Sequence, residues 1–97
     1  MKLRFTRQAK QDLDSIADYI RADAPEAAVR VRAAILESLQ LLVVFPRIGR
    51  RQRAEGVRKL VTRRYRYIVY YTIDEPFGEI VILTIQHPSR ARDHFDR

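Results

Sequence analysis

The sequence contains no cysteine, which excludes disulfide bonds, thiolate nucleophiles and zinc sites built on thiolates. Its two histidines have no metal-ligand spacing, so we expect neither a metal ion nor another cofactor. No window approaches the ~20 apolar residues that a membrane-spanning helix needs. The N-terminal MKLRFTRQAKQ is charged where a signal peptide would carry its apolar segment. These absences predict a cytoplasmic protein with metal-free chemistry or no chemistry.

The chain is short and strongly basic. Its 97 residues fit a single domain, and we interpret residues 1–97 as one domain in which 88–97 form a flexible tail. Lysine and arginine number 19 against 12 aspartates and glutamates, a net charge of +7, and most of the cations are arginine. Guanidinium groups hold carboxylates and phosphates in bidentate geometry. An acidic protein partner and a nucleic acid are therefore both compatible with the composition.

The first third of the sequence predicts a strand followed by a helix. Residues 2–5 alternate polar and apolar, which directs Leu3 and Phe5 inward, and Thr6 can then cap a helix of about four turns. The helix has one apolar stripe with intervals of three to four residues. The stripe consists of Ala9, Leu13, Ile16, Ala17 and Ile20.

The segment DAPEAA predicts the start of a second helix, which runs to about Val44. Asp23 and Glu26 have the spacing of a capping box, and Pro25 is tolerated in a first turn. The short link at 22–24 predicts an antiparallel helical hairpin. The main apolar stripe is Ala28, Val31, Ile35, Leu39 and Leu42, with a second line at Val29, Leu36 and Val43. Two apolar lines indicate contact with two surfaces, such as the first helix and a sheet.

The second half of the sequence predicts a β-meander. After the arginine-rich loop RIGRRQRAEG, strands are predicted at 57–61, 65–73 and 79–87, the last two joined through DEPFG. The order β-α-α-β-β-β predicts an α+β two-layer domain, with an N-terminal helical hairpin packed on one face of a mainly antiparallel four-stranded sheet. The last two strands are apolar at odd and even positions alike, and periodicity leaves open which face meets the helices. We expect the other face to remain apolar, rich in tyrosine and covered by a protein partner.

Five segments in fixed order carry a resemblance that covers nearly the whole chain: AKQDLDSIADYI, FPRIGRR, VRKLV, YRYIVYY and ILTIQHPSR. They resemble the ParE branch of the RelE/ParE toxins of bacterial type II toxin-antitoxin systems. The resemblance implies the β-α-α-β-β-β fold and a cognate antitoxin, often acidic in its toxin-binding segment, that wraps around the toxin. It also implies a role in plasmid stabilisation and DNA gyrase as the target, because ParE-like toxins trap cleaved DNA on gyrase by binding. RelE-like members instead cleave messenger RNA on the ribosome.

The nuclease alternative predicts a set of catalytic residues. RNA cleavage without metal needs a base for the 2′-OH, an acid for the leaving oxygen and cations that hold the phosphate. Arg66 and His87 match, by position, a catalytic arginine and a histidine of some RelE-like nucleases, and neighbouring antiparallel strands could place both on one face. Glu55 and Lys59 are the nearby candidates for the base. Equally, His87 can simply close its strand, and Arg66 can pair with a carboxylate.

The gyrase alternative requires no catalytic residue and assigns the arginines to binding. We expect Arg50, Arg51, Arg63, Arg64 and Arg66 to contact the antitoxin, together with exposed apolar residues of the hairpin and sheet. From the resemblance, we expect Arg90 and Arg92 to contact the target. Plain solvation of the loop arginines, an inactive antitoxin-binding relative and a direct nucleic-acid-binding protein remain alternatives.

Overall fold

The computed structural model describes residues 1–89, so Arg90 and Arg92, and most of the predicted tail, lie outside the described residues. Two helices pack on a sheet with the strand order β1-β5-β4-β3-β2. β1 is parallel to β5, and the other neighbours are antiparallel. The elements are β1 Lys2–Phe5, α1 Arg7–Arg21, α2 Pro25–Val44, β2 Arg50–Arg51, β3 Val57–Val61, β4 Ile68–Asp74 and β5 Glu79–Gln86. The predicted α+β architecture is confirmed, with one strand more than expected, because β2 forms inside the arginine-rich loop.

The two helices begin differently. Thr6 caps α1 as predicted, since its hydroxyl accepts a hydrogen bond from the Ala9 N–H at 3.0 Å. The capping box predicted for α2 is wrong. Pro25 occupies the first position of that helix, so Ala24 is the N-cap and makes no side-chain hydrogen bond. Asp23 therefore lies one residue too early to cap. In residues 1–89, neither helix is long and apolar enough to cross a membrane.

The core lies between the hairpin and the sheet. The main stripes of both helices are buried or partly buried as predicted, whereas Val29 of the second line is 71% exposed. The sheet contributes Tyr67, Val69, Tyr71 and Ile73 from β4 and its approach, and Ile80, Ile82 and Ile85 from β5. These residues settle which face of the sheet meets the helices.

A β-bulge partway along β5 changes which of its side chains point to each face of the sheet. Tyr70 pairs with Thr84 while Tyr71 pairs with Ile82, which leaves Leu83 as an extra residue. The strict alternation expected for this strand therefore fails after Ile82, and Ile85 joins the helix-facing side. Periodicity alone could not show this change, because the bulge inserts one residue into a period of two.

The reverse face of the sheet is less open than the sequence suggests. Tyr70 is fully buried, and Val57 and Val81 on the same face are 8% and 6% exposed. The expectation of a wholly exposed tyrosine-rich face is therefore wrong at its centre. On this face Val61, at the end of β3, is 40% exposed, and other exposed large apolar residues lie elsewhere, notably at Val44, Phe45 and Ile48 after α2 and at Phe77 in the β4–β5 turn.

Candidate functional site: an arginine-rich sheet edge and the turn after β3

Six cations cluster where β2 pairs with β3, and we call this cluster the arginine edge. It consists of Arg47, Arg50, Arg51, Arg53, Arg58 and Lys59. In the antiparallel ladder Arg50 pairs with Lys59 and Arg51 with Arg58, and the Gln52 N–H then donates to the Val57 carbonyl at 3.0 Å. A segment predicted as a solvated loop thus forms an edge strand of the sheet, paired in register with β3.

Tyr71 anchors the start of the arginine edge to the core. Its buried hydroxyl donates to the Pro46 carbonyl at 2.8 Å and accepts from the Gly49 N–H at 2.8 Å. Burial raises the pKa of Tyr71, an effect that the Gly49 N–H and the nearby charge of Arg58 partly offset. The segment FPRIGRR therefore carries a structural requirement at Gly49, where the backbone approaches a buried tyrosine closely.

A cleft of about 540 Å³ opens on one side of the arginine edge. Four of the six cations and two carboxylates line it: Arg47, Arg51, Arg53, Arg58, Glu55 and Glu75. Arg47 forms an ion pair with Glu75. Nη1 of Arg58 donates to the carbonyls of Arg47 and Gly49 at 3.1 and 2.8 Å, which fixes this guanidinium without neutralising it.

A second cleft of about 280 Å³ is lined by Arg50, Arg51, Gln52, Arg53 and Lys59 and contains no carboxylate. Within residues 1–89, the arginines at 50, 51, 53 and 58 form no ion pair with a carboxylate. Chemically, the two clefts suit an anion with several oxygen atoms, such as a phosphate or a carboxylate.

The turn at 62–67 holds a second group of arginines. Thr62, 1% exposed, closes the turn: its N–H donates to the Tyr67 carbonyl, its hydroxyl donates to the Arg64 carbonyl, and the Tyr67 N–H donates back to that hydroxyl. Tyr65 and Arg66 are consecutively left-handed, with φ of 64° and 54°. The placement of Arg66 on the central strand is therefore wrong, because β4 begins only at Ile68. Arg63, Arg64 and Arg66 are all exposed on this turn.

His87 lies just beyond β5, on the side of the sheet that carries the helices. Its ring meets the Tyr67 ring edge-on, with centroids 5.5 Å apart, and its Nδ1 accepts from the Ser89 N–H at 3.1 Å. The Ser89 hydroxyl also lies 2.6 Å from Nδ1. Burial raises the pKa of Tyr67 beneath this ring. These contacts fit a residue that closes the strand.

The four residues named for the nuclease alternative do not converge. Lys59 pairs with Tyr70, which in turn pairs with Thr84, so Lys59 lies on the reverse face of the sheet, away from His87. Glu55 and Arg66 flank opposite ends of the five-residue β3, a separation of ~16 Å along the strand.

The arginines predicted to contact the antitoxin fall into two groups, Arg50 and Arg51 on β2 and the three arginines of the 62–67 turn.

Thr6, which the sequence singled out only as a helix cap, and Asp12, which it did not single out, stabilise the bulged strand. β1 ends at Phe5, and beyond it the Thr6 hydroxyl donates to the Leu83 carbonyl at 2.8 Å. Asp12 Oδ2 accepts from the Ile85 N–H at 2.9 Å. These side chains replace the backbone partner that β5 loses where β1 stops. Only the position of Asp12, nearly two turns beyond the cap Thr6, could have suggested its role.

Among residues 1–89, no group of three or more histidines, aspartates or glutamates could hold a metal ion.

Comparison with known proteins identifies the family. A sequence model described as "ParE toxin of type II toxin-antitoxin system, parDE" matches residues 3–92. The chain is 37% identical over 86 residues to a Sinorhizobium fredii protein named "Putative toxin Y4kP". The aligned region covers 89% of this chain and 86% of that protein. Its fold is similar to that of the chromosomal ParDE system of P. aeruginosa, with a TM-score of 0.77 and 32% identity over 90% of this chain and 95% of the other.

Two RelBE structures are also similar. The RelBE2 toxin-antitoxin complex of Mycobacterium tuberculosis gives a TM-score of 0.65 and 31% identity, covering 89% of this chain and 95% of the other. The RelBE complex of E. coli gives a TM-score of 0.69 at 15% identity, covering 92% and 98%, and this likeness shows the fold alone. With the family match over nearly its whole length, the chain belongs to the ParE toxins of type II toxin-antitoxin systems, within the ParE/RelE superfamily.

Proposed function

We propose that this toxin acts by binding DNA gyrase, so that cleaved DNA is trapped on the enzyme, and that a cognate antitoxin neutralises it. One observation carries the choice over ribosome-dependent RNA cleavage: Arg66, His87, Lys59 and Glu55 are dispersed over both faces and both ends of β3 and its neighbours. Metal-free cleavage needs base, acid and cations within hydrogen-bond reach of one phosphate. A toxin that acts by binding has no such requirement.

The antitoxin contact is proposed at the two exposed arginine groups and the apolar residues near them. Arg50 and Arg51 and the turn arginines Arg63, Arg64 and Arg66 are exposed and would pair with carboxylates of an acidic antitoxin segment. A shallow groove of about 530 Å³ lined by residues 44–48 adds the apolar surface that a stable interface needs. Support for an antitoxin partner comes from the similar structures, which are of a ParDE and a RelBE2 toxin-antitoxin system.

The target contact is proposed at Arg90 and Arg92, which follow the described residues and match the family only by position. We further propose that residues 1–97 form one toxin domain, which acts in the cytoplasm and contributes to plasmid stabilisation. These follow from the resemblance to ParE-like toxins.

The test is a supercoiling assay with purified toxin, gyrase, ATP and relaxed plasmid. The proposal predicts inhibition of supercoiling or accumulation of cleaved DNA, reversed by the cognate antitoxin. A parallel reaction with ribosomes and messenger RNA should give no cleavage. Cleavage of RNA without an effect on gyrase would favour the RelE-type alternative, and no effect in either assay would favour an inactive antitoxin-binding relative.

A further inference from the structure

We propose that the arginine edge is a binding site for the backbone phosphates of double-stranded DNA. The inference goes beyond the proposed function, because it assigns DNA contact to the toxin chain itself, with no need for gyrase. It rests on the charge balance of the two clefts, on their shared wall and on the polar and charged side chains that alone line the smaller cleft.

The charge balance of the two clefts is strongly positive. Together they are lined by six cations and two carboxylates. Glu75 is committed to the ion pair with Arg47, and the smaller cleft contains no carboxylate. Guanidinium groups at 51 and 53 line both clefts and, within the described chain, form no ion pair. Phosphate binding by such groups releases condensed counterions from DNA, which is the main source of non-specific affinity.

The shape of the arginine edge also fits a duplex. Arg51, Gln52 and Arg53 separate the two clefts as a common wall, so cations lie on both sides of one ridge. Behind this ridge, β2 is the two-residue edge strand of the five-stranded sheet and pairs with β3. Cations on both sides of a ridge at the sheet edge can contact several backbone phosphates of a duplex at once.

The clefts lack the apolar anchor typical of protein interfaces. Their apolar lining residues are Val57, which is 8% exposed, and the partly buried Ile73. Exposed Val44, Phe45 and Ile48 lie in the groove after α2, which shares Arg47 with the larger cleft but no residue with the smaller one. Protein interfaces are depleted of charge at their centres and depend on apolar or aromatic anchors, whereas DNA interfaces are more polar and more positive. The smaller cleft, lined by charged and polar side chains alone, therefore suits a DNA backbone, and an antitoxin bound at Arg50 and Arg51 would compete with DNA for it.

The arginine edge is also ordered before any ligand binds. Gln52 Nε2 donates to the carbonyls of Arg50 and Arg51 at 2.7 and 3.0 Å, and Arg58 is tied to two further carbonyls. Tyr71 fixes the preceding backbone from the core. Because the backbone and the Arg58 guanidinium are held in place, binding orders fewer groups and costs less conformational entropy than it would on a loop without these contacts.

The experiment measures binding of the full chain, without antitoxin, to a short fluorescein-labelled DNA duplex of mixed sequence by anisotropy over a range of NaCl concentrations. The double variant R51Q/R53Q should lower the slope of log affinity against log salt by about two, because each phosphate contact contributes about one. R30Q/R32Q on the exposed side of α2 removes the same charge and should leave the slope at the wild-type value.

Equal slopes for the two double variants would overturn the proposal. An affinity of the wild-type protein for the duplex that does not fall as NaCl rises would also overturn it, because phosphate contacts release counterions. If R51Q/R53Q lowers the thermal unfolding temperature, the single variant R53Q carries the test, with an expected decrease in slope of about one. Gyrase is absent from the assay, so its outcome is independent of the gyrase proposal.

Discussion

Gly49 lies directly against the ring of Tyr71. The Gly49 N–H donates to the Tyr71 hydroxyl at 2.8 Å, and a Cβ atom added at Gly49 would lie 2.8 Å from Cζ of that ring. Tyr71 is fully buried, so its ring has no space to move away. This contact joins the segment after α2 to the centre of the sheet and sets the start of the arginine edge.

Gly49→Ala should therefore destabilise the protein by about 1–3 kcal/mol, the usual cost of overpacking a core. Urea unfolding gives the free energy directly. The matched control repeats the substitution in a Tyr71→Leu background, which removes the atoms that a new methyl group would meet. The penalty should be much smaller there, and an equal penalty in both backgrounds would rule out the steric explanation.

The Tyr71 hydroxyl should give the fold a measurable alkaline limit. Because burial raises its pKa above the ordinary 10.0, the folded state favours the neutral phenol. This contribution to stability is fully present below about pH 10 and is lost as the pH rises through the folded-state pKa. Tyr71→Phe should cost about 1–3 kcal/mol at neutral pH, since Gly49 and Pro46 lose their partner.

Thermal unfolding of Tyr71→Phe and wild-type protein at neutral pH and above about pH 10 tests the alkaline limit. The stability difference between the two proteins should shrink at the higher pH. Burial also raises the pKa of Tyr67, but this residue is present in both proteins, so its effect on stability cancels in the difference. A difference that stays constant with pH would contradict the assigned role of the hydroxyl.

Asp12→Ala should leave the Ile85 N–H without its acceptor and cost about 1–3 kcal/mol. Asp14, exposed on the same helix, provides the matched control, and its replacement by alanine should change stability by less than about 0.5 kcal/mol. Hydrogen exchange at Ile85 should accelerate in the first variant only. Similar losses in both variants would show that the charge on α1, and not the contact with the bulge, is responsible.

Replacing Arg90 and Arg92 by alanine should weaken growth inhibition by the induced toxin while leaving antitoxin binding unchanged. The reason is the assignment of this segment to the target and not to the antitoxin. Growth after induction and co-purification with the antitoxin measure the two effects separately. Full toxicity of the double variant would show that these two residues do not contact the target.

The regular elements could be predicted from the sequence because each has a clear period. The stripe from Ala9 to Ile20 determines α1, and the strand at 57–61 has the predicted bounds. The features that were missed arise from local departures from periodicity. Thr62 closes a turn in which Tyr65 and Arg66 are left-handed, a conformation that non-glycine residues rarely adopt. The bulge at Leu83 likewise leaves no signature in composition.

The candidate site was predictable in composition but not in geometry. The arginines of RIGRRQRAEG were recognisable as a cluster, but their pairing with β3 depends on the anchoring of Gly49 and Pro46 by Tyr71, which is distant in sequence. The nuclease candidates matched by position alone. Their distribution over two faces of the sheet became visible only when the register of β3, β4 and β5 was known.

Gyrase supercoiling in the presence of the purified toxin, with and without its antitoxin, is the most direct measurement of the proposed activity. We predict that the toxin inhibits supercoiling or accumulates cleaved DNA, that R66A/H87A retains this effect, and that the antitoxin abolishes it. Unimpaired supercoiling at saturating toxin, accompanied by ribosome-dependent RNA cleavage that R66A/H87A loses, would contradict the proposal.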